Sequence, residues 1–451
     1  MFNKSRKKRQ NQSYLPVDGI LKTKTNPRPK SNKKNYIFLF CVSIFLIVFG
    51  IVILLNNNFL TLAQIFKNGK HLVLFQNSAE LRPSGGFIGS FAEVTTRNFR
   101  LKKLDFESNI YKRDNKFTKA NTIMPKDPIL AEFIPEDGLA LRDANWSADF
   151  PEVAKSVAWF YKSEGGTDLN TLVAINSEFF KDLLDIIGPI DMVKYNLNVN
   201  SENFNEVIQK QVEDTYYESQ SNEAVSEPKS ILAEMMPIAI VRAKKMNNLF
   251  KIYELILTSL KNKNIQIYSF NKKNEQDILD KNWGGAVKNS ESDYLFINNA
   301  NLGANKSSSY IDENIKYTVR NTKSSLNAEL NISRNYFQNS YDKENINFTR
   351  IFVPNDSILL RAYRDNIDIT EEVETSYDLG KTVFRLWSNV SPQKQTNIKL
   401  IYRLPQIINF DNYSLILQKQ SGAINQQFEF LFDDTVEFNG LFTEDLVLSR
   451  H

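Results

Sequence analysis

With 451 residues, 42% of them hydrophobic, the chain is long for a single domain and too apolar for wholesale disorder. Its formal charge of +4 is unevenly spread: eleven Lys and Arg precede residue 36 against the single acid Asp18, which leaves the remainder at about −6. A mildly acidic body is not built to neutralise phosphates along a nucleic acid, so no nucleic-acid partner is expected. The only cysteine, Cys41, allows no disulfide within the chain. The two histidines, His71 and His451, are too few for a zinc site or a histidine-based triad. Any metal would be a hard ion held by oxygen.

Residues 1–35 read as a basic cytoplasmic tail. Tyr36–Leu55 carries no charge and is long enough to cross a bilayer as a helix. The positive-inside rule keeps the tail in the cytoplasm and places everything after Leu55 outside it. A cleaved signal peptide is the alternative. The apolar run is longer than a usual signal core, and Asn56-Asn57-Asn58-Phe59 is a poor cleavage site. The expected localisation is therefore the cell membrane, in a single pass with the bulk of the chain extracytoplasmic and the lipid bilayer as a partner. Residues 56–69 form a juxtamembrane linker whose Phe59–Lys67 segment is amphipathic.

From about 70 to 305 strands and helices alternate, which predicts an α/β domain. Strands are expected at 72–75, 91–96, 101–106, 172–175, 265–270 and 294–297, with an irregular, Pro-marked excursion at 118–137. Helices are expected at 150–161, 177–187, about 201–218 and about 228–261. Asp149 suits the cap of the first of these, with Pro151 in its first turn. After Ser309 short alternating runs follow one another without a convincing helix, from 315–319 to 428–432. That pattern predicts an antiparallel β-sandwich of immunoglobulin-like size over 310–436, with 437–451 as a C-terminal tail. There is no long-period internal repeat.

Two polar loops stand out. Gln76–Ser90 follows the 72–75 strand and carries Asn77, Glu80, Arg82 and the pair Gly85-Gly86. Paired glycines let backbone N–H groups approach an anion, Arg82 offers a fork of donors to a phosphate, and Glu80 or Asn77 could help hold a divalent ion. A salt-bridged structural turn explains the same residues equally well. Leu141–Pro151 carries Arg142, Asp143, Asn145 and Asp149. Asp149 is best explained as a helix cap, whereas Arg142 and Asp143 fit neither a cap nor an obvious solvated face. If the two loops meet at one sheet edge, their composition suits a metal-assisted diphosphate site. Asn298–Ser307 could add Asn301 and Lys306 to that edge, although an interdomain linker is the simpler reading.

The phrases Leu74–Ser90, Arg142–Pro151 and Asn299–Ser307 resemble an uncharacterised bacterial family, domain of unknown function 4012, over about residue 70 to past 400. The order of elements is also similar, more weakly, to the LytR-CpsA-Psr cell-envelope phosphotransferases. These are single-pass proteins with an external α/β domain that move a glycopolymer from a polyprenyl-diphosphate carrier to the cell wall with Mg²⁺. That resemblance implies Mg²⁺ as cofactor and a polyprenyl-diphosphate-linked glycan and a cell-wall polymer as partners. It implies Glu80 and Asp143 in catalytic and metal-binding roles. Asn77, Arg82, Gly85, Gly86, Arg142, Asn145 and Lys306 would bind substrate. The family's Gly-Arg-Ser-Asp core is replaced here by Ser84-Gly85-Gly86-Phe87-Ile88, which loses a carboxylate, and Arg242 stands without the expected second arginine. The competing expectation is a non-catalytic envelope scaffold or surface binding protein.

Overall fold

The run Leu72-Val73-Leu74-Phe75 is apolar on both of its alternating faces, as befits a central strand covered on two sides. In the computed structural model it lies in β1 (Gly69–Asn77), antiparallel to β2 (Phe87–Arg97) and parallel to β4 (Thr171–Asn176). With β3 (Arg100–Glu107) and β7 (Ile265–Ser269) these make a mixed sheet in the order β3-β2-β1-β4-β7. The structure describes residues 57–118, 121–134, 138–208, 230–322, 325–338, 341–408 and 410–449. The tail 1–35, the expected span 36–55 and residues 209–218 of an expected helix lie outside them. Among the described residues no helix is long and apolar enough to cross a membrane.

The helices of this α/β part are α1 (Asn57–Phe66), α2 (Ile110–Thr118), α3 (Pro128–Phe133), α4 (Phe150–Ser163), α5 (Ser177–Ile187), α6 (Ser230–Ala243), α7 (Met246–Lys261) and α8 (Lys272–Asp280). On one face of the sheet Leu72, Leu74, Leu172 and Ala174 pack against Val153 and Val157 of α4. On the other, Val173 and Ile267 pack with Phe179 of α5 and with Leu255 and Leu260 of α7. β5 (Ile190–Met192) and β6 (Leu197–Val199) form a separate hairpin against α6.

Several expectations are corrected here. The 228–261 stretch is two helices, broken at Lys244-Lys245, where the Asn248 side chain donates to the Arg242 carbonyl at 3.0 Å and satisfies an orphaned helix-end acceptor. Helices α2 and α8 were not expected, because each is mostly polar and is anchored by few buried apolar residues, Ile110 and Phe117 in one and Ile278 in the other. The strand at 294–297, expected in the α/β part, is the middle of β8 (Asp293–Asn301) and belongs to the β-rich region.

That region has two sheets. One holds β9 (Ile311–Asn321), β10 (Leu326–Tyr336), β12 (Ile358–Arg364), β13 (Ile367–Asp368), β16 (Gln395–Arg403), β18 (Gln426–Phe432) and β19 (Thr435–Leu441) in the order β13-β12-β16-β10-β9-β18-β19. The other holds β8, β11 (Asn347–Pro354), β14 (Glu374–Asp378), β15 (Lys381–Trp387), β17 (Ser414–Gln418) and β20 (Leu446–Ser449) in the order β14-β15-β11-β8-β17-β20. Inward residues of both sheets, such as Leu295 and Phe384 from one and Tyr317 and Leu330 from the other, share one core. The pairing is not purely antiparallel as expected: β8 with β17 and β9 with β18 run parallel, so the last part of the chain crosses back to lie beside each sheet's first strand. The expected tail also carries structure, since β19 and β20 continue to Ser449.

Candidate functional site

β1 ends at Asn77, whose side-chain oxygen accepts from the Ala79 N–H at 3.1 Å and whose carbonyl accepts from the Glu80 N–H at 3.1 Å. This turn sends the chain into the loop that rejoins the sheet where the Phe87 N–H donates to the Glu80 carbonyl at 2.9 Å. Glu80 is buried and sits between two cations: Oε1 accepts from Arg82 at 2.8 Å and Oε2 from Lys306 at 2.6 Å. Burial alone would push its carboxyl up, but the Lys306 and Arg82 charges and hydrogen bonds outweigh it and hold the group below its ordinary range. Both cations also lie over the Phe87 ring, Arg82 at 5.9 Å and Lys306 at 5.8 Å from its centroid.

The 298–308 segment is therefore not a free linker. β8 runs directly beside the loop, with the Asn301 N–H donating to the Leu81 carbonyl at 2.9 Å and the Asn298 side chain to the Pro83 carbonyl at 2.8 Å. The Ser308 N–H donates to the Ala79 carbonyl at 3.1 Å, which brings Lys306 to Glu80. The glycines serve close packing rather than an open nest. Gly85 has φ +137° and donates its N–H to the Arg82 carbonyl, and a Cβ there would meet the Gln76 side chain at 2.4 Å. A Cβ on Gly86 would sit 2.5 Å from the Asn77 backbone.

The second loop converges on the first. Asn145 donates through Nδ2 to the Gly86 carbonyl at 2.7 Å. Arg142 and Asp143 occupy a single 3₁₀ turn, Leu141–Asp143. Arg142 is buried, donates to Asp114 at 3.1 Å, lies 3.5 Å from Asp143 and stacks over the Tyr111 ring at 5.5 Å. Burial raises the Asp143 carboxyl, with Arg142 and Arg82 opposing, so the two loops share one electrostatic environment. Asp149 is the cap its position predicts, accepting from Glu152 at 3.3 Å and also from Val287 at 2.8 Å.

Sequence reasoning missed Asp114, Glu164, Tyr111 and Phe87. Asp114 is fully buried; burial and the charge of Glu164 hold its carboxyl above the usual range against the pull of Arg142. The signal for its helix was slight, namely Ile110 and Phe117 seven residues apart among polar neighbours. Phe87 and Tyr111 stack at 6.2 Å and line a cavity of about 370 Å³ beneath β1 and β2. The cavity wall is apolar, formed by Val73 and Phe75 of β1, Phe180 of α5 and Met235, Met236 and Ala239 of α6. Asn77 and Lys306 supply polar atoms to it, beside Arg82.

Among the described residues no group of three or more His, Cys, Asp or Glu is placed to hold a metal. Glu80 has both oxygens committed to cations, and Asp143 accepts from the Ala140 N–H at 3.3 Å beside Arg142. In this arrangement the two carboxylates do not fit Mg²⁺, because the positions a cation would take are already held by positive side chains.

Residues 68–212, which hold both loops, match the model of the family described as protein of unknown function (DUF4012), the family that the motifs resemble. No curated protein matches the chain. Among solved structures, similarity reaches a nutrient-binding protein of Legionella pneumophila with 10% identity and a TM-score of 0.22, covering 31% of this chain and 66% of that one. An aminopeptidase A from the same organism has 8% identity and a TM-score of 0.18, over 27% and 15% of the respective chains. An M1 zinc metallopeptidase of Deinococcus radiodurans has 10% identity and a TM-score of 0.17, over 31% and 38%. This chain thus spans less than two thirds of each, and overlaps this slight define neither its fold nor its chemistry.

Proposed function

We propose that the chain is a membrane-anchored, extracytoplasmic cell-envelope protein that binds a polyprenyl-diphosphate-linked glycan, with an α/β part of LytR-CpsA-Psr-like organisation. One observation carries this reading: an apolar cavity of about 370 Å³, within the range of small-molecule sites, is lined at its polar end by Lys306 and by Phe87, over whose ring Arg82 also lies. An amphiphile with an apolar tail and an anionic head matches both ends at once. Burial and Glu164 hold the Asp114 carboxyl up to about 8, so it offsets little of the charge of Arg142, Arg82 and Lys306, which favours an anion.

In this reading the diphosphate takes over from Glu80 as the partner of Arg82 and Lys306. Transfer to a cell-wall acceptor would form a bond from the acceptor hydroxyl oxygen to the glycan-side phosphorus and release polyprenyl phosphate. Asp143, with its raised carboxyl pKa, is the group suited to receive the hydroxyl proton. No step is routed through Mg²⁺.

The test is equilibrium binding of a polyprenyl diphosphate by the full chain in nanodiscs, with Arg82→Ala, Lys306→Ala and a cavity-filling Ala239→Trp variant. Weakening in all three, with thermal unfolding of each variant retained, supports the site. Equal affinity in all four proteins overturns it. Arg142→Ala is a poor probe because it also removes a hydrogen-bond partner of the buried Asp114.

A groove of about 550 Å³ favours the second reading, a surface binding protein. It crosses the outer face of the seven-stranded sheet, where short Asn314, Asn331, Ser333 and Asn397 lie between longer side chains including Tyr363 and Lys399. Amides and hydroxyls beside one aromatic suit a glycan. Glycan binding lost on Asn331→Ala but kept on Arg82→Ala would favour that region as the working end.

A further inference from the structure

The N-terminal turns of helix α7 expose apolar side chains that the core does not cover. Leu255 is buried, whereas Met246, Leu249 and Tyr253 follow at i, i+3 and i+7 along another face. Met246 is 82% exposed and Val241, at the end of α6, is 67% exposed; Leu249 is exposed as well. Lys244, Lys245 and Lys251 surround this stripe and are all exposed.

The stripe leads back to where the chain enters. Tyr253 packs its ring 6.2 Å from that of Phe59 in α1, a helix that also exposes Leu60 and starts at Asn57. The charge-free 36–55 run ends two residues earlier. From Tyr253 to Met246 is about 10 Å along a helix axis. An apolar stripe bordered by lysines, this close to the end of an expected membrane span, has the composition of an interfacial surface.

We propose that the tip of the α6–α7 hairpin, from Val241 to Leu249, docks onto the lipid bilayer. Met246 and Leu249 enter the headgroup boundary, and Lys244, Lys245 and Lys251 face anionic headgroups. This rests on the membrane-anchored reading above. It adds a route for ligand: Ala239, Ile240 and Ala243 of α6 line the cavity, so docking brings one cavity wall to the surface that holds polyprenyl lipids.

The test uses the full chain with Cys41→Ser and a single Met246→Cys, labelled with an environment-sensitive fluorophore and reconstituted into phosphatidylcholine vesicles with or without phosphatidylglycerol. Tyr377→Cys, on the exposed β14, is the control. The expected result is co-flotation with vesicles, blue-shifted emission and quenching by lipid-borne nitroxide at 246 but not at 377. The 246 signal should be stronger with phosphatidylglycerol and reduced when Lys244, Lys245 and Lys251 are changed to Gln. Co-flotation with a water-exposed 246 label overturns the docking and leaves the anchor standing. Failure to co-float overturns the anchor and the docking with it. A blue shift insensitive to lipid nitroxide, with Met246→Cys cross-linking to itself, assigns the stripe to a second copy and also overturns the proposal.

Discussion

Glu80 in the α/β part and Asp293 in the β-rich part are both buried carboxylates, yet they are displaced in opposite directions. Asp293 is surrounded by neutral donors: the Tyr317 hydroxyl at 2.7 Å, the Tyr413 hydroxyl and the Tyr294 N–H at 2.7 Å. Burial dominates there and pushes its carboxyl up to about 6, the tyrosine hydrogen bonds only moderating the rise. Glu80 is desolvated too, but two cations reverse the outcome. The difference separates a carboxyl held by neutral donors within a core from one held ionised by two cations. The regions differ likewise in packing: the core shared by the two β-sheets is lined by fully buried side chains such as Phe384 and Tyr402, whereas the α/β sheet leaves a cavity against α5 and α6.

The largest effect that would sharpen this contrast is expected from Arg142→Ala. It removes the buried guanidinium that donates to Asp114 and covers the Tyr111 ring, so a loss of up to about 3 kcal/mol is expected in chemical denaturation, the scale for leaving a buried polar group without its partner. A neutral effect would mean that the contact between Arg142 and Asp114 contributes nothing to stability. Next is the pH dependence. Asp293 keeps a proton in the folded state that the unfolded chain has lost between 3.8 and about 6, so its contribution makes stability decline as pH rises through that window. Asp293→Asn should remove a decline of roughly 3 kcal/mol. Glu80 has the opposite sign: its contribution is present above its ordinary value of 4.5 and is lost as pH falls through the lower folded value, so Glu80→Gln should flatten the acid limb. If the two variants alter the same limb, the comparison fails.

Gly86→Ala is expected to cost on the order of 2 kcal/mol, since the added methyl meets backbone rather than a movable side chain. The smallest effect concerns affinity. Glu80→Gln removes the internal competitor for Arg82 and Lys306, so a diphosphate should bind a few-fold more tightly, about 1 kcal/mol, in a titration of the folded variant. Weaker binding would show that Glu80 holds the cations in place for the ligand instead of competing with it.

The two loops stood out in the sequence as charged residues beside Gly and Pro at a strand end, and in the structure Glu80, Arg82 and Arg142 are held in ion pairs there. The Asp149 cap, the helix expected over 150–161 and the central 72–75 strand follow from local rules, and the structure has all three, the helix running on to Ser163. What was not legible depends on distance in the fold. Tyr294–Ile297 is equally apolar whichever sheet receives it, and only its pairing with β11 and β17 assigns it to the β-rich region. Asp114 lies in a mostly polar helix and gains its role by burial against Arg142. Phe87 read as one more residue of the polar loop ahead of the 91–96 strand, although both cations sit over its ring. Lys306 was the least certain of the polar set because its segment resembled a linker, and its ion pair with Glu80 spans 226 positions.

The most direct test of the account is photo-cross-linking of the full chain in nanodiscs with a polyprenyl diphosphate carrying a diazirine in its apolar tail, followed by peptide mapping. Labelling of the α6 segment around Met235 and Met236, lost in Ala239→Trp, is the predicted result. Labelling confined to the outer sheet of the β-rich region, or unchanged by Ala239→Trp, would contradict it.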